Sequence, residues 1–265
     1  MDTKSENSIA TGVGPTPVGR VPSYYDPEIG GAARTAQEEI DERIFTKEIR
    51  QGFIRKVYAI IAMQLILTAA VTSLFLFVDP IRTWFLLHGQ PVFIVATVVL
   101  FATTIPLLCC DGVLRRFPYN YLLLCAFTLA ESILVAGVTA LYSEKTVLIA
   151  VAGTAVITIG LSLFACQVKY DFTSWVGVLF ILTLNLMIFG IFCIFLPKWA
   201  QVLYSSLALL LFSIYLVVDT QLLVGRGKLR LSEDDYIVAA LMIYVDIITI
   251  FLQLLRLVAA ATDNN

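Results

Sequence analysis

Seven apolar runs leave this 265-residue chain few ways to fold. They lie at about 55–78, 91–110, 119–142, 146–167, 173–196, 200–224 and 235–258, most of them near the roughly 20 residues a helix needs to cross the hydrocarbon core of a bilayer. In lipid every backbone N–H and C=O must find an internal partner, so runs of this length read as helices. The links are short and turn-rich: Asp79-Pro80, His88-Gly89-Gln90-Pro91, Asp111-Gly112 with Arg115-Arg116-Phe117-Pro118, Glu144-Lys145, Lys169-Tyr170-Asp171 and Pro197-Lys198. None has room for a further soluble domain. Composition agrees, with 59% hydrophobic and 14% charged residues, against roughly 45–50% and 25% in soluble domains. The expected fold is an all-α integral membrane protein, a seven-transmembrane-helix bundle.

Ahead of the bundle, residues 1–35 are rich in Gly, Pro, Ser and Thr without sustained apolar periodicity, and read as a disordered cytosolic tail. From Ala36 the pattern changes. Ile40, Ile44 and Phe45 recur at helical spacing among charged residues, so 36–54 reads as an amphipathic juxtamembrane helix and 55–260 as the membrane domain. The early residues lack the short apolar core of a cleavable signal, so targeting falls to the first apolar run.

Basic residues set the orientation. Arg43, Lys47, Arg50, Arg55 and Lys56 precede the first run, and Arg115, Arg116, Lys169, Arg226, Lys228 and Arg230 fall on the same side. The other side has Arg82, Lys145 and Lys198, joined by Arg256 if the last run crosses. That bias puts the N-terminus in the cytosol. Asp246 and Gln253 interrupt the last run and leave a re-entrant segment open. Its length, and a start at Ser232 followed by Asp235, favour a full crossing. Net charge is −2 and no basic face stands out, so nucleic acid is not an expected partner. The five cysteines lie in or at the ends of apolar runs, with neither zinc-site spacing nor a disulfide framework. His88 is the one histidine and sits in a short turn, where it cannot form a metal cluster.

Of 20 acidic residues, three sit well inside apolar runs: Glu131, Asp219 and Asp246. A charge at membrane depth is expensive unless paired, hydrated or protonated, which makes each a functional candidate. Asp219 lies roughly 7 Å and Asp246 roughly 16 Å from the cytosolic end of its own run, at about 1.5 Å per residue. The two runs are antiparallel neighbours, so their carboxyls can face one another. Two carboxyls in one low-dielectric site titrate as a unit, and when ionised they form a hard oxygen site that suits transient Ca²⁺. The alternative is that each bonds a nearby Ser, Thr or Tyr and merely fixes packing; two acids on adjacent helices favour function. Glu131 reads as a pore acid facing a hydrated cavity, or as a packing acid bonded across helices to a residue such as Asn185 or Gln64. Arg115 and Arg116 are within reach of a shallow Asp219, or are interfacial anchors like Arg256. Paired membrane aspartates also describe an intramembrane aspartyl protease. That chemistry needs equal depths, whereas the count along the helices separates these by about 8 Å, and no Gly-x-Gly-Asp motif is present. An enzyme is not expected.

Asp219-Thr220-Gln221-Leu222, Asp234-Asp235-Tyr236, Ala239-Ala240-Leu241 and Tyr244-Val245-Asp246-Ile247-Ile248, closing on Leu254-Leu255-Arg256, resemble the C-terminal signature of the transmembrane Bax-inhibitor-motif family. Phe53-Ile54-Arg55-Lys56-Val57-Tyr58 and Phe127-Thr128-Leu129-Ala130-Glu131 look most like its lifeguard branch, including the Golgi anti-apoptotic members. The resemblance covers about residues 50–258. It implies a seven-helix bundle with the last helix central, in Golgi, endoplasmic reticulum or other cell membranes, and an association with calcium leak and suppression of cell death. It further implies that Asp219 and Asp246 form a pH-responsive gate latched by an arginine at the end of the second helix, either Arg115 or Arg116.

The leading expectation is therefore a pH-modulated calcium leak channel that lowers stored calcium and blunts apoptosis. A proton-coupled transporter is one alternative. A non-conducting adaptor that binds cell-death regulatory membrane proteins is the other. Expected partners are the lipid bilayer, Ca²⁺ as the transported ion and protons, with no cofactor.

Overall fold

The computed structural model describes residues 27–109, 118–193, 195–225, 231–232 and 234–263, with side chains from Glu48 onward except at 108, 109 and 263. The tail before Pro27, Arg115 and Arg116 lie outside the described residues. The chain divides into a unit up to Lys47 and a second from Glu48, and the second is the membrane domain. Its helices are α1 (Pro27–Phe77, crossing from Glu48), α2 (Asp79–His88), α3 (Gln90–Cys109), α4 (Tyr119–Thr139), α5 (Glu144–Gln167), α6 (Val176–Cys193, preceded by a 3-10 turn at Phe172–Trp175), α7 (Lys198–Val224) and α8 (Tyr236–Asp263). No strand occurs among the described residues. All but α2 are long and apolar enough to cross a membrane, so seven spans stand as expected. The link read at 79–90 is itself helical: Pro80 starts α2 in the first turn, where its missing N–H costs nothing.

Helix ends are set by local chemistry. Ser143 Oγ accepts the Thr146 amide to cap α5, and the Asp171 carboxylate accepts the Thr173 amide at the start of the 3-10 turn. Arg82 closes α4 from another segment, with its guanidinium donating to the carbonyls of Ala140 at 3.1 Å and Tyr142 at 3.0 Å.

The last helix is the axis of the bundle. α8 packs against α7, α5 and α4, and 67% of its apolar window is buried, against 11% for the span that contains α6. α3 lies on α4, and α6 lies on α7. Outward faces carry large apolar residues such as Phe101, Val156, Phe180 and Leu210, all well exposed. Soluble proteins rarely show apolar surface on this scale; lipid covers it.

Because lipid tails are as apolar as leucine, helices in a bilayer associate through close packing and interhelical hydrogen bonds. Both operate on α8. At Gly153 of α5 a Cβ would stand 2.6 Å from Leu254 Cδ2, so glycine sets the α5–α8 spacing. On the other side the Tyr244 hydroxyl shares a 2.8 Å hydrogen bond with Thr68 of α1, which shares a second, of 3.0 Å, with Ser132 of α4. Tyr244→Phe is expected to cost roughly 0.6–1.7 kcal/mol, read as a lower denaturant midpoint in mixed micelles. Tyr119→Phe, on an exposed side chain, is expected to leave that midpoint unchanged.

Candidate functional site

Asp219 sits near the end of α7, and Asp246 lies ten residues into α8, counted from Tyr236. Both are buried, at 5% and 4% exposure. Their carboxyl groups lie within hydrogen-bonding reach of each other. The helix-rise expectation of unequal depth therefore fails. It assumed that α7 stops and α8 starts at one level; contact between the aspartates requires α8 to begin about 8 Å farther out than α7 ends.

Hydrogen bonds pin the described residues on both flanks of the turn between the two helices. Gly225 ends α7 with φ 73°, a left-handed conformation natural to glycine, and its amide bonds the Gln221 carbonyl. The Leu231 amide then reaches back to the Leu222 carbonyl at 3.3 Å. Arg50 of α1 clamps both strands of the turn, donating to the carbonyls of Leu222 and Leu231 at 2.8 Å each. A Cβ at Gly225 would stand 2.7 Å from this guanidinium, so glycine is required here by conformation and by space. Gln221 ties the next segment in: its Oε1 accepts the Phe172 amide and its Nε2 donates to the Tyr170 carbonyl. Lys56 lies 3.2 Å above the centre of the Tyr236 ring, whose hydroxyl accepts from Asn120.

Several buried oxygens of the bundle lack donors. Asp246 Oδ2, Thr220 Oγ1, Gln64 Oε1 and Gln253 Oε1 are buried with no hydrogen-bond partner among the described residues. Asp246 and Gln253, seven residues apart, share one face of α8. No group of three or more His, Cys, Asp or Glu side chains assembles among the described residues. Two carboxylates fall short of the six to eight oxygens that retain Ca²⁺.

Glu131 is half-buried on α4 and lies within electrostatic range of Tyr244. No hydrogen bond joins it to either of the cross-helix partners expected for it among the described residues. Gln64 Nε2 donates to Thr128 at 3.0 Å, and Asn185 bonds the Ile181 carbonyl of its own helix. The structure therefore unites Asp219 with Asp246 and leaves Glu131 apart, on the Tyr244 side of α8. Arg50 and Gln221 escaped the sequence reading. Gln221 carried the same signal as the acids, a polar group inside an apolar run; Arg50 was counted only as one of several basic anchors.

The family model for "Inhibitor of apoptosis-promoting Bax1" matches residues 50–263, which takes in the clamp, the aspartate pair and every span. The chain belongs to the Bax-inhibitor family. It is 36% identical over 253 residues to Protein lifeguard 3 of Mus musculus, covering 94% of this chain and 80% of the relative. Against Protein lifeguard 3 of Homo sapiens the identity is 37% over 253 residues, covering 91% and 80%. The Golgi anti-apoptotic protein of Vaccinia virus (strain Lister) is 33% identical over 222 residues, covering 82% and 88%.

Arg50→Gln is expected to open the turn locally. Loss of two charge-assisted hydrogen bonds predicts roughly tenfold or faster hydrogen exchange at the Leu231 amide. Arg50→Lys recovers only part of the protection, because an ammonium lacks the planar fork that spans two carbonyls.

Proposed function

We propose that this chain is an anti-apoptotic membrane protein of the Golgi or endoplasmic reticulum that works as a pH-modulated calcium leak, lowering stored calcium. The observation that carries the reading is the buried contact between Asp219 and Asp246, two acids at membrane depth on the most enclosed helices of the bundle. Its relatives' names, lifeguard and Golgi anti-apoptotic protein, support the cellular role. The site's chemistry supports the ionic one. An incomplete oxygen set attracts a divalent cation without trapping it, and Gln253 Oε1 offers a further unpartnered oxygen two turns along the same face, about 10 Å on.

In this reading a proton shared between the two carboxyls holds them in contact. Ionisation sets two like charges together, and a cation must then compensate them. In the closed state that cation is a latch arginine, Arg115 or Arg116, and Ca²⁺ takes its place only transiently. Acidification neutralises the pair, releases the latch and raises the leak. Hydrolysis by the pair is set aside, because Gly-x-Gly-Asp is absent. Cell-death regulatory membrane proteins are partners of the same proposal, acting downstream of the calcium set-point.

In proteoliposomes loaded with calcium, efflux from the parent protein is expected to rise as pH falls. Asp219→Asn and Asp246→Asn, singly and together, flatten that dependence. If both variants keep the parent's rate and pH profile, the gate assignment fails. If efflux falls on acidification, the latch assignment fails and the shared proton itself closes the path. Saturable, substrate-specific uptake would instead mark a proton-coupled transporter.

A further inference from the structure

The end of the bundle opposite the α7–α8 turn holds a cavity of about 1010 Å³. It opens where the end of α6, the start of α7 and the end of α8 meet. Lys198 and Arg256 both line it, one at the first residue of α7 and one near the end of α8. Neither forms an ion pair or a side-chain hydrogen bond among the described residues. Anchoring cations ordinarily point outward along the lipid face. These two come from different helices and border one concavity.

The rest of the lining divides by chemistry. Tyr142, Trp199 and Tyr204 supply amphipathic rings of the kind found at headgroup depth. Met187, Ile191 and Val202 supply an apolar wall. Gly190 keeps the wall low beside Tyr204: a Cβ there would stand 2.9 Å from the Tyr204 ring. Two cations with no ion pair among the described residues repel Ca²⁺, so the cavity is a poor vestibule for a cation. Its volume is at the upper end of the roughly 300–1,000 Å³ typical of small-molecule pockets, enough for a polar head and the first part of a chain.

We infer that this cavity is a binding site for an anionic phospholipid of the non-cytosolic leaflet. Its phosphate sits between Lys198 and Arg256, its glycerol region lies against Trp199 and Tyr204, and an acyl chain runs along Met187 and Ile191. Charge complementarity selects the head, and continuity of the apolar wall with the lipid-facing surface of α6 selects a membrane lipid over a soluble anion. The site stands apart from the aspartate pair and does not rest on the leak reading.

Trp199 is the reporter. The full chain carrying Trp84→Phe and Trp175→Phe, reconstituted in phosphatidylcholine vesicles, leaves it as the sole tryptophan. Dibrominated phosphatidylglycerol is expected to reach half-maximal quenching at a mole fraction roughly thirtyfold below that of dibrominated phosphatidylcholine, as two surface cations acting together predict. Lys198→Gln with Arg256→Gln removes the preference; Lys198→Arg with Arg256→Lys keeps it. Equal quenching by the two lipids in the parent protein overturns the proposal without reference to any variant. So does a preference that survives charge removal, or one that millimolar inorganic phosphate abolishes, which would mark a soluble-anion site.

Discussion

Tyr244 and Asp246 stand two residues apart on α8 and so face nearly opposite ways. Tyr244 turns toward Thr68 and Ser132, and Asp246 toward Asp219. Through these two side chains the central helix is held by polar contacts on both flanks, in a medium that gives apolar surfaces no reason to prefer one another over lipid. The rest of the bundle depends on that arrangement. α1 and α4 are registered against α8 on one flank, and α7 is registered on the other. Glycine at the α5 crossing and the apolar residues between fill space around an axis whose rotation the polar contacts have already chosen.

The bundle uses its arginines in two ways. Arg50 and Arg82 are spent on backbone carbonyls at helix ends, where the unsatisfied C=O groups and the negative end of the helix dipole favour a cation. Arg256 instead borders open space with Lys198. A cation that closes a turn rigidifies the protein, and a cation that lines a cavity is available to something else. The clamped turn beside the aspartates means that α7 and α8 move there as a hairpin fastened to α1, so any rearrangement of the pair must be accommodated within the hairpin or carry α1 along.

Much of the site was legible because lipid makes polar residues conspicuous. Asp219, Asp246 and Glu131 stood out as acids within apolar runs, and two of the three proved to be neighbours. Glu131 did not join them, because a residue's face on its helix relative to a distant helix is not written in local spacing. Arg50 was invisible for the opposite reason. It lies among basic residues at the membrane boundary, where a charge costs little, so nothing local separates a clamp from an anchor. The depth estimate erred through the turn: counting residues gives distance along each helix, and only the fold fixes where the helices begin relative to one another.

The sequence by itself determined that this chain is a bundle of seven membrane-spanning helices, because apolar length and obligatory backbone hydrogen bonding leave no other solution in a bilayer. It also determined which polar residues would need a reason to be buried. Tertiary structure alone decided which of them meet, how far α8 is offset against α7, and which arginine holds a turn while another lines a cavity. Those outcomes turn on helix rotation and offset, and both are set by contacts between residues far apart in the chain.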